Sequence, residues 1–255
     1  MSNIINRILG KTIGINLKRA KIRRVAKVKG EPIYVEFVGV PGVGKTTLYE
    51  NVFKEVKRKW RNIHELQKLL YKHTDGKAVE SQSYYEGLAQ NKMQSLGSRN
   101  YSGIDQMKIV KYFHSVLVAD SLVHLFNTDY NIMSDEGLIH NFGEGIFELF
   151  NSNNEEFKSL MKQRAVIYCQ TSAEIVAKRI LEREEKTGRL LPQHKVESLE
   201  ELINLQKKSL ELKQLFIDFL SNHDIPVLSL DTSNPMNDNV EQVKHFLNDL
   251  TCNQS

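Results

Sequence analysis

The feature that most constrains this chain is the sequence GVPGVGKTT at residues 39–47, which lies between two different hydrophobic patterns. Before it, residues 33–40 form a short β-branched and aromatic run bounded by Pro32, which is typical of a buried strand. After it, apolar residues recur at four-residue spacing and predict one face of a helix: Leu48, Val52, Val56 and Trp60. The sequence therefore predicts a strand, a glycine-rich loop and a helix, in that order.

The loop has the spacing G-x-x-x-x-G-K-T, which is typical of a backbone cradle for phosphate. Glycine is needed at Gly42 and Gly44 because a β-carbon would obstruct the inward-facing N–H groups or forbid the dihedrals. Lys45 supplies a mobile cation for the β- and γ-phosphates, and Thr46 offers a hydroxyl to Mg²⁺. We therefore expect MgATP to bind the whole loop: Gly39, Val40, Pro41, Gly42, Val43, Gly44, Lys45, Thr46 and Thr47.

The rest of the chain alternates strand and helix patterns. Strands are predicted at residues 130–134, 165–169 and 225–230, and helices at 63–71, 104–126, 173–183, 199–220 and 239–250. Thr171 and Glu174 predict a capping box for the helix that starts at residue 173, and residues 74–103 are polar without a strand pattern. This alternation predicts an α/β fold, the three-layer sandwich of P-loop NTPases with a mostly parallel central sheet.

Charge divides the chain into two parts. Residues 1–30 contain nine basic residues and no acidic residue, whereas the chain as a whole has a net charge of only +4. We interpret residues 1–30 as a basic N-terminal extension and residues 31–255 as the folded domain. The extension either binds an anionic surface, a membrane or nucleic acid, or packs as a basic arm against the acidic body.

Cysteine usage and hydropathy bear on the compartment. Cys169 and Cys252 have no partner at metal-ligand or redox-motif spacing, which favours a reducing setting. The sequence has no run of 18 apolar residues and no secretory signal at its N-terminus. We therefore expect a cytoplasmic protein, and a homodimer is a further expectation.

An acidic triplet follows the strand predicted at residues 130–134. Ligands of open α/β sheets bind at the carboxyl ends of the strands, where Asp135, Glu136 and Gly137 would lie. Asp135 is the candidate Mg²⁺ ligand, and Glu136 the candidate base or positioning group for an acceptor hydroxyl. The alternative is an ordinary polar turn, since acidic residues and glycine are common where strands end.

Three arginines are candidates for closing over the phosphates from a lid-like segment at about residues 179–195. Arg179 and Arg183 lie one helical turn apart, and Arg189 follows a glycine. A guanidinium matches the equatorial oxygens of a transferring phosphoryl group better than an ammonium. The alternative is a solvated helix face in which Glu182 pairs with a lysine four residues away.

Together these motifs resemble the nucleotide and nucleoside kinases among P-loop proteins, and thymidylate kinase most of all. The resemblance covers residues 33–250 and includes the loop, the helix ending at Asp120, the strand and arginine-bearing helix at 165–183, and residues 227–233. It implies an ATP-dependent kinase with Mg²⁺ and a small-molecule phosphate acceptor. The family usually has arginine after both aspartates, whereas Ser121 and Glu136 stand there, which argues against thymidylate itself as the acceptor.

We therefore expect transfer of the γ-phosphate of MgATP to a nucleotide or nucleoside, with Lys92, Arg99 and Tyr84 as candidate acceptor contacts. Lys45, Asp135, Glu136 and the three arginines are the expected catalytic residues. Alternatives are a kinase for a sugar or another hydroxyl, a P-loop NTPase switch with a polyanion-binding arm, and a nucleotide sensor without enzymatic activity.

Overall fold

The computed structural model describes residues 31–71, 83–97, 101–125, 130–188, 194 and 196–252. Three sequence predictions lie outside these residues: the basic extension at 1–30, the candidate phosphate ligand Arg189 and the candidate acceptor contact Arg99.

Five parallel strands form one sheet in the order β2-β3-β1-β4-β5. The strands are β1 (Tyr34–Val38), β2 (Trp60–Asn62), β3 (Asn131–Ser134), β4 (Arg164–Gln170) and β5 (Val227–Asp231). The central strand β1 is buried along its whole length, because it pairs on both sides and carries helices on both faces. Since all strands run the same way, their carboxyl ends meet at one edge of the sheet. The predicted α/β fold with a parallel sheet is confirmed.

Ten helices connect and flank the strands. They are α1 (Lys45–Val56), α2 (Ile63–Tyr71), α3 (Ser83–Gly97), α4 (Gly103–Leu125), α5 (Leu138–Asn141), α6 (Gly143–Asn151), α7 (Glu155–Lys162), α8 (Ala173–Thr187), α9 (Leu199–Ser221) and α10 (Met236–Cys252). These counts refer to the residues that the structure describes.

Alternate residues of the strands point to opposite faces of the sheet, and each face has its own core. Val35 and Phe37 of β1 pack with α1, α8 and α10 in one hydrophobic cluster. Val38 packs on the other face with α3, α5, α6 and α7. Helix α9 contributes to both, with Leu202 in the first cluster and Leu220 in the second. The arrangement is a three-layer sandwich.

Two elements in the first half of the chain differ from the sequence prediction. Trp60 continues the apolar spacing of α1, yet α1 ends at Val56 and Trp60 opens β2. The prediction was wrong because Trp60 is buried in the same cluster as the face of α1, so burial hides the change of element. Helix α3 lies in the polar segment for which the sequence predicted no element, and its Tyr85 and Leu88 are buried against the second core.

The start of α8 also differs from the prediction. Its N-cap is Ser172, whose hydroxyl accepts the N–H of Ile175 at 3.3 Å, so the helix is capped one residue later than predicted and the capping box of Thr171 and Glu174 does not form. The helix continues past Arg183 and ends at Gly188, which has the left-handed φ of 63° that favours glycine.

Among the described residues, no helix is both long and apolar enough to cross a bilayer. Cys169 is buried in β4, where burial raises the pKa of its thiol to about 12, and Cys252 is exposed at the end of α10.

Candidate functional site

The glycine-rich loop lies at the carboxyl end of β1 and leads directly into α1. Gly42 and Gly44 have φ values of 89° and 103°, a region that favours glycine. A β-carbon on Gly42 would lie 2.8 Å from Cγ1 of Ile180, so α8 packs too closely for any side chain there. Gly44 is the N-cap of α1 and brings the N-terminus of that helix to the loop. The loop therefore presents a helix N-terminus and a cradle that side chains cannot fill, which suits a polyphosphate.

Lys45 is the first residue of α1 and bends back over the loop. Its ammonium donates to the carbonyl oxygens of Gly39 at 2.9 Å and Val40 at 3.2 Å, and its side chain is 5% exposed. Burial lowers the pKa of Lys45, and the nearby carboxylates of Glu136 and Asp135 oppose that shift. The loop carbonyls and these carboxylates therefore hold the ammonium at the mouth of the cradle.

The acidic triplet follows β3, the neighbour of β1, as the parallel sheet requires. Oε1 of Glu136 lies 3.9 Å from Nζ of Lys45, and its Oε2 accepts a short hydrogen bond from the hydroxyl of Tyr112 on α4. The hydroxyl of Ser134 donates to the backbone oxygen of Glu136 at 2.9 Å and fixes the turn. The structure therefore brings together the loop lysine and the carboxylate that the sequence singled out.

Tyr112 and His140 are site residues that sequence reasoning missed. Nε2 of His140 lies 3.8 Å from Oε1 of Glu136. Burial lowers the pKa of His140 well below its ordinary value, and Lys45, Lys213 and Lys92 lower it further, so the ring is neutral at pH 7. Tyr112 reaches Glu136 through the packing of α4, whereas His140 lies four residues after Glu136 on α5, and neither belongs to a recognisable motif.

The arginines of α8 differ in their contacts. Nη1 of Arg179 donates to the carbonyl oxygen of Val43 at 2.7 Å, and its guanidinium also donates to the hydroxyl and the carbonyl oxygen of Thr232 at 3.1 Å. Arg179 therefore ties the phosphate loop to the turn after β5, and its direct contact with phosphate stays a prediction. Arg183 is exposed and lines the cavity described next.

A cavity of about 1010 Å³ extends from the glycine-rich loop into the space between α3 and α4. Thr232, Met236 and Asn239 line it beside the loop, and the far end has a mixed lining of cationic, aromatic and apolar side chains: Lys92, Leu96, Lys108, Tyr112 and Phe113. Glu136 lies between the two ends. The cavity therefore offers space for a second ligand beyond the phosphate loop.

The candidate acceptor contacts fall in different places. Nζ of Lys92 donates to the carbonyl oxygen of Asn141 at 2.8 Å and lies 4.3 Å from the ring centroid of Phe113, at the far end of the cavity. Tyr84 is 1% exposed and packs edge-on against Phe157 in the second core, which excludes it from the cavity wall.

Magnesium fits the donor set of this site. Across the described part of the chain, no group of three or more His, Cys, Asp or Glu residues is placed to hold a metal ion. Mg²⁺ needs no such cage, because it usually takes one or two protein oxygens together with substrate phosphates and water. The exposed hydroxyl of Thr46 and the half-buried carboxylate of Asp135 are hard oxygen donors of this kind.

A buried charge network lies beneath the site. Nη1 of Arg164 donates to Oε1 of Glu36 at 2.9 Å, and its Nη2 donates to Oδ1 of Asp120 at 2.7 Å. The hydroxyl of Tyr85 donates to the same Asp120 oxygen. All three charged side chains are at most 3% exposed. The aspartate that resembled a family motif therefore belongs to this network and does not reach the cavity between α3 and α4.

Glu36 makes stability depend on pH. Burial raises its pKa to about 7 from the ordinary 4.5, Asp120 adds to the shift and Arg164 opposes it. Because the folded state then holds this proton more tightly than the unfolded chain, the free energy of unfolding falls as pH rises from 4.5 to 7. The contribution is on the order of 3 kcal/mol. The charged or titratable groups that face Glu36 come from five elements: Tyr34, Asp120, His140, Arg164 and Lys213.

We expect this decrease of the unfolding free energy with rising pH to disappear in Glu36→Gln. Urea unfolding of both proteins between pH 4.5 and pH 7.5 measures it, and the difference between the two curves removes the opposite contribution of His140. Parallel curves would contradict the assignment to Glu36.

Comparisons with known proteins found no matching family model and no matching curated protein. Among solved structures, shikimate kinase from Bacteroides thetaiotaomicron is similar with 10% identity and a TM-score of 0.44, covering 85% of this chain and 98% of that one. Deoxyadenosine kinase from M. mycoides has 16% identity and a TM-score of 0.44, covering 85% and 100%. A gluconokinase from Sinorhizobium meliloti has 13% identity and a TM-score of 0.37, covering 88% and 97%. Similarities this remote assign no activity, so the functional conclusion depends on the residues of this chain.

Proposed function

We propose that this protein is an ATP-dependent phosphotransferase that moves the γ-phosphate of MgATP to a small-molecule acceptor, a nucleotide or nucleoside in the first instance. One observation carries the proposal. The ammonium of Lys45 and the carboxylate of Glu136 lie 3.9 Å apart, where the phosphate loop opens into a cavity with room for a second ligand. A cation for the transferring phosphoryl group and a carboxylate for the acceptor thus occupy adjacent positions.

The loop and its neighbours form the donor end of the site. The N-terminus of α1 and the inward N–H groups of the loop bind the phosphates, and Lys45 reaches the β- and γ-phosphates. Thr46 and Asp135 would hold Mg²⁺, which, when bound, neutralises charge that develops on the phosphate oxygens. Arg183 lines the same cavity and is the arginine available to contact the transferring group.

Glu136 supplies the acceptor chemistry. Its carboxylate takes the proton of the acceptor hydroxyl while the acceptor oxygen bonds to the γ-phosphorus and the bond to the β,γ-bridging oxygen breaks. Tyr112 holds the carboxylate through its hydroxyl, whose pKa is raised by burial and by Glu136, so it remains a donor. A carboxylate here attracts a hydroxyl and repels a phosphate, so of the two proposed acceptors a nucleoside is favoured over a nucleotide.

The alternative is an NTPase that hydrolyses ATP and moves the basic extension. The size and lining of the cavity support transfer, because hydrolysis needs space for only one water molecule beyond the γ-phosphate. A membrane or nucleic acid as partner for residues 1–30, a homodimer and a cytoplasmic location stay predictions from the sequence.

The test is transfer of phosphate from γ-labelled ATP to a panel of nucleosides, nucleotides and sugars, with and without Mg²⁺. We expect one class of acceptor to yield a labelled, Mg²⁺-dependent product. The Lys45→Ala protein, shown to be folded by circular dichroism, is the blank. Release of free phosphate with every acceptor, and no labelled product, would support the NTPase alternative and contradict the proposal.

A further inference from the structure

The side chain of Glu36 reaches the turn that carries Glu136 from inside the sheet. Glu36 lies in the middle of β1 and is 0% exposed. Its Oε2 accepts the backbone N–H of Ile139 at 2.8 Å and of His140 at 3.3 Å, both in α5. These N–H groups belong to the first turn of α5, where no partner within the helix is available to them. The carboxylate therefore anchors α5 to the central strand.

The other oxygen of Glu36 is fixed as well. Oε1 accepts from Arg164 at the start of β4, and Arg164 is held in turn by Asp120 of α4. Rotation of the carboxylate would break hydrogen bonds on one side or the other, and in a buried site each broken bond is costly. The carboxylate therefore links α5 to β1 and β4, the two neighbouring strands at the centre of the sheet.

Gly137 shows how closely the turn approaches this carboxylate. A β-carbon on Gly137 would lie 2.5 Å from Oε2 of Glu36, which is closer than real side chains come. The backbone of Gly137 has a φ of −128°, so the need for glycine comes from Glu36 and not from the dihedral. Glu136 precedes this glycine directly, and His140 follows three residues later, so the residues at both ends of the turn line the candidate site.

We propose that Glu36 is a positioning residue for phosphoryl transfer, which holds the turn from Glu136 to His140 in place and thereby sets the carboxylate of Glu136 against Lys45. The inference rests on the proposed function. Transfer requires the reacting groups to be placed within a fraction of an ångström, and a misplacement of about 1 Å costs on the order of 100-fold in rate. Glu36 contributes without contacting either substrate.

If Glu36 had a purely structural role, its variants would show a different pattern of kinetic and stability effects. Another residue of the buried charge network provides the control. Asp120 binds the same arginine and is almost as buried, but it accepts its hydrogen bonds from Arg164 and Tyr85 and not from α5. Asp120→Asn therefore weakens the network and leaves the anchor of α5 intact. The carboxylate of Glu36 has two acceptor oxygens, whereas the amide in Glu36→Gln has one acceptor oxygen and one N–H₂ donor. The N–H₂ group must therefore face other donors, either Arg164 or the N–H groups of α5.

The experiment compares the two variants in the full-length protein. For Glu36→Gln we expect kcat to fall about 10- to 100-fold, with the KM for MgATP within about 3-fold of wild type. Hydrogen exchange of the Ile139 and His140 amides should accelerate. For Asp120→Asn we expect a comparable loss of stability in urea, a kcat within about 3-fold of wild type and unchanged exchange at these two amides.

A second variant keeps the inference testable if Glu36→Gln does not fold. Gly137→Ala keeps every charged residue but places a methyl group against the carboxylate of Glu36, which separates the turn from its anchor, and we expect kcat to fall about 10-fold with little change in the KM for MgATP.

Equal losses of kcat in Glu36→Gln and Asp120→Asn at equal losses of stability would overturn the inference, as would a wild-type kcat in Gly137→Ala. If the wild-type protein transfers phosphate to no acceptor, the proposed function fails and the inference falls with it. If it transfers phosphate and the variants do so equally well, only the inference fails.

Discussion

Lys45→Ala is expected to lower kcat/KM for MgATP by at least about 100-fold while the protein remains folded. The ammonium is held in the mouth of the loop by two carbonyl oxygens, so it is in place before the phosphates arrive. Removing it leaves the γ-phosphate without its protein cation and leaves the carbonyl oxygens of Gly39 and Val40 facing the bound anion. Calorimetry with MgATP and steady-state kinetics measure the two parts of the loss.

Lys213→Met is the matched control for Lys45→Ala. Lys213 of α9 is also buried close to the site, where burial together with Lys45 and Lys92 lowers its pKa to about 8. It donates to the carbonyl oxygen of His140 at 3.3 Å. We expect this variant to keep MgATP affinity within about 3-fold of wild type, because its ammonium does not face the loop. Wild-type MgATP affinity in Lys45→Ala would contradict the assignment of the loop.

The second large effect is expected from Glu136→Gln, which should lower kcat by about 100- to 10,000-fold with little change in the KM for MgATP. The amide keeps the shape of the side chain but takes no proton from the acceptor hydroxyl. Tyr112→Phe removes only the donor that orients this carboxylate, and we expect a smaller loss of about 3- to 10-fold. Transfer kinetics with the best acceptor at saturating MgATP measure both.

Asp135→Asn separates the two acidic residues of the triplet. As a weakened metal ligand, it should raise the Mg²⁺ concentration needed for half-maximal activity, whereas Glu136→Gln should leave that concentration unchanged. A wild-type rate in Glu136→Gln would mean that the triplet is only a polar turn, the alternative that the sequence left open.

The parts of the site that sequence reasoning found are those encoded by neighbouring residues. The phosphate loop has a local signature, because its glycines, Lys45 and Thr46 are consecutive and each is needed for its own backbone or charge property. Asp135 and Glu136 were placed beside it because parallel strands end at one edge of the sheet. The structure places Glu136 3.9 Å from Lys45, and the roles of all the predicted site residues stay predictions.

Elements with weak local patterns were missed or misassigned. Strand β2 has only three residues, too few to show an alternation, and Trp60 continued the spacing of the preceding helix. Helix α3 buries Tyr84, Tyr85 and Leu88 but is polar over most of its remaining surface, so its sequence predicted no element there.

The sequence by itself determined the strand, loop and helix that we propose bind phosphate, because such binding depends on backbone dihedrals and a charge within a few consecutive residues. Only the tertiary structure decided what surrounds them. Glu36 and Arg164 are 128 positions apart in the chain, and Tyr112 and Glu136 are 24 apart. These partners come into contact because strands pair and helices pack, and no residue spacing in the sequence predicts such contacts. A glutamate inside a buried strand therefore acquires its partners, and its proposed role, only when the sheet has formed.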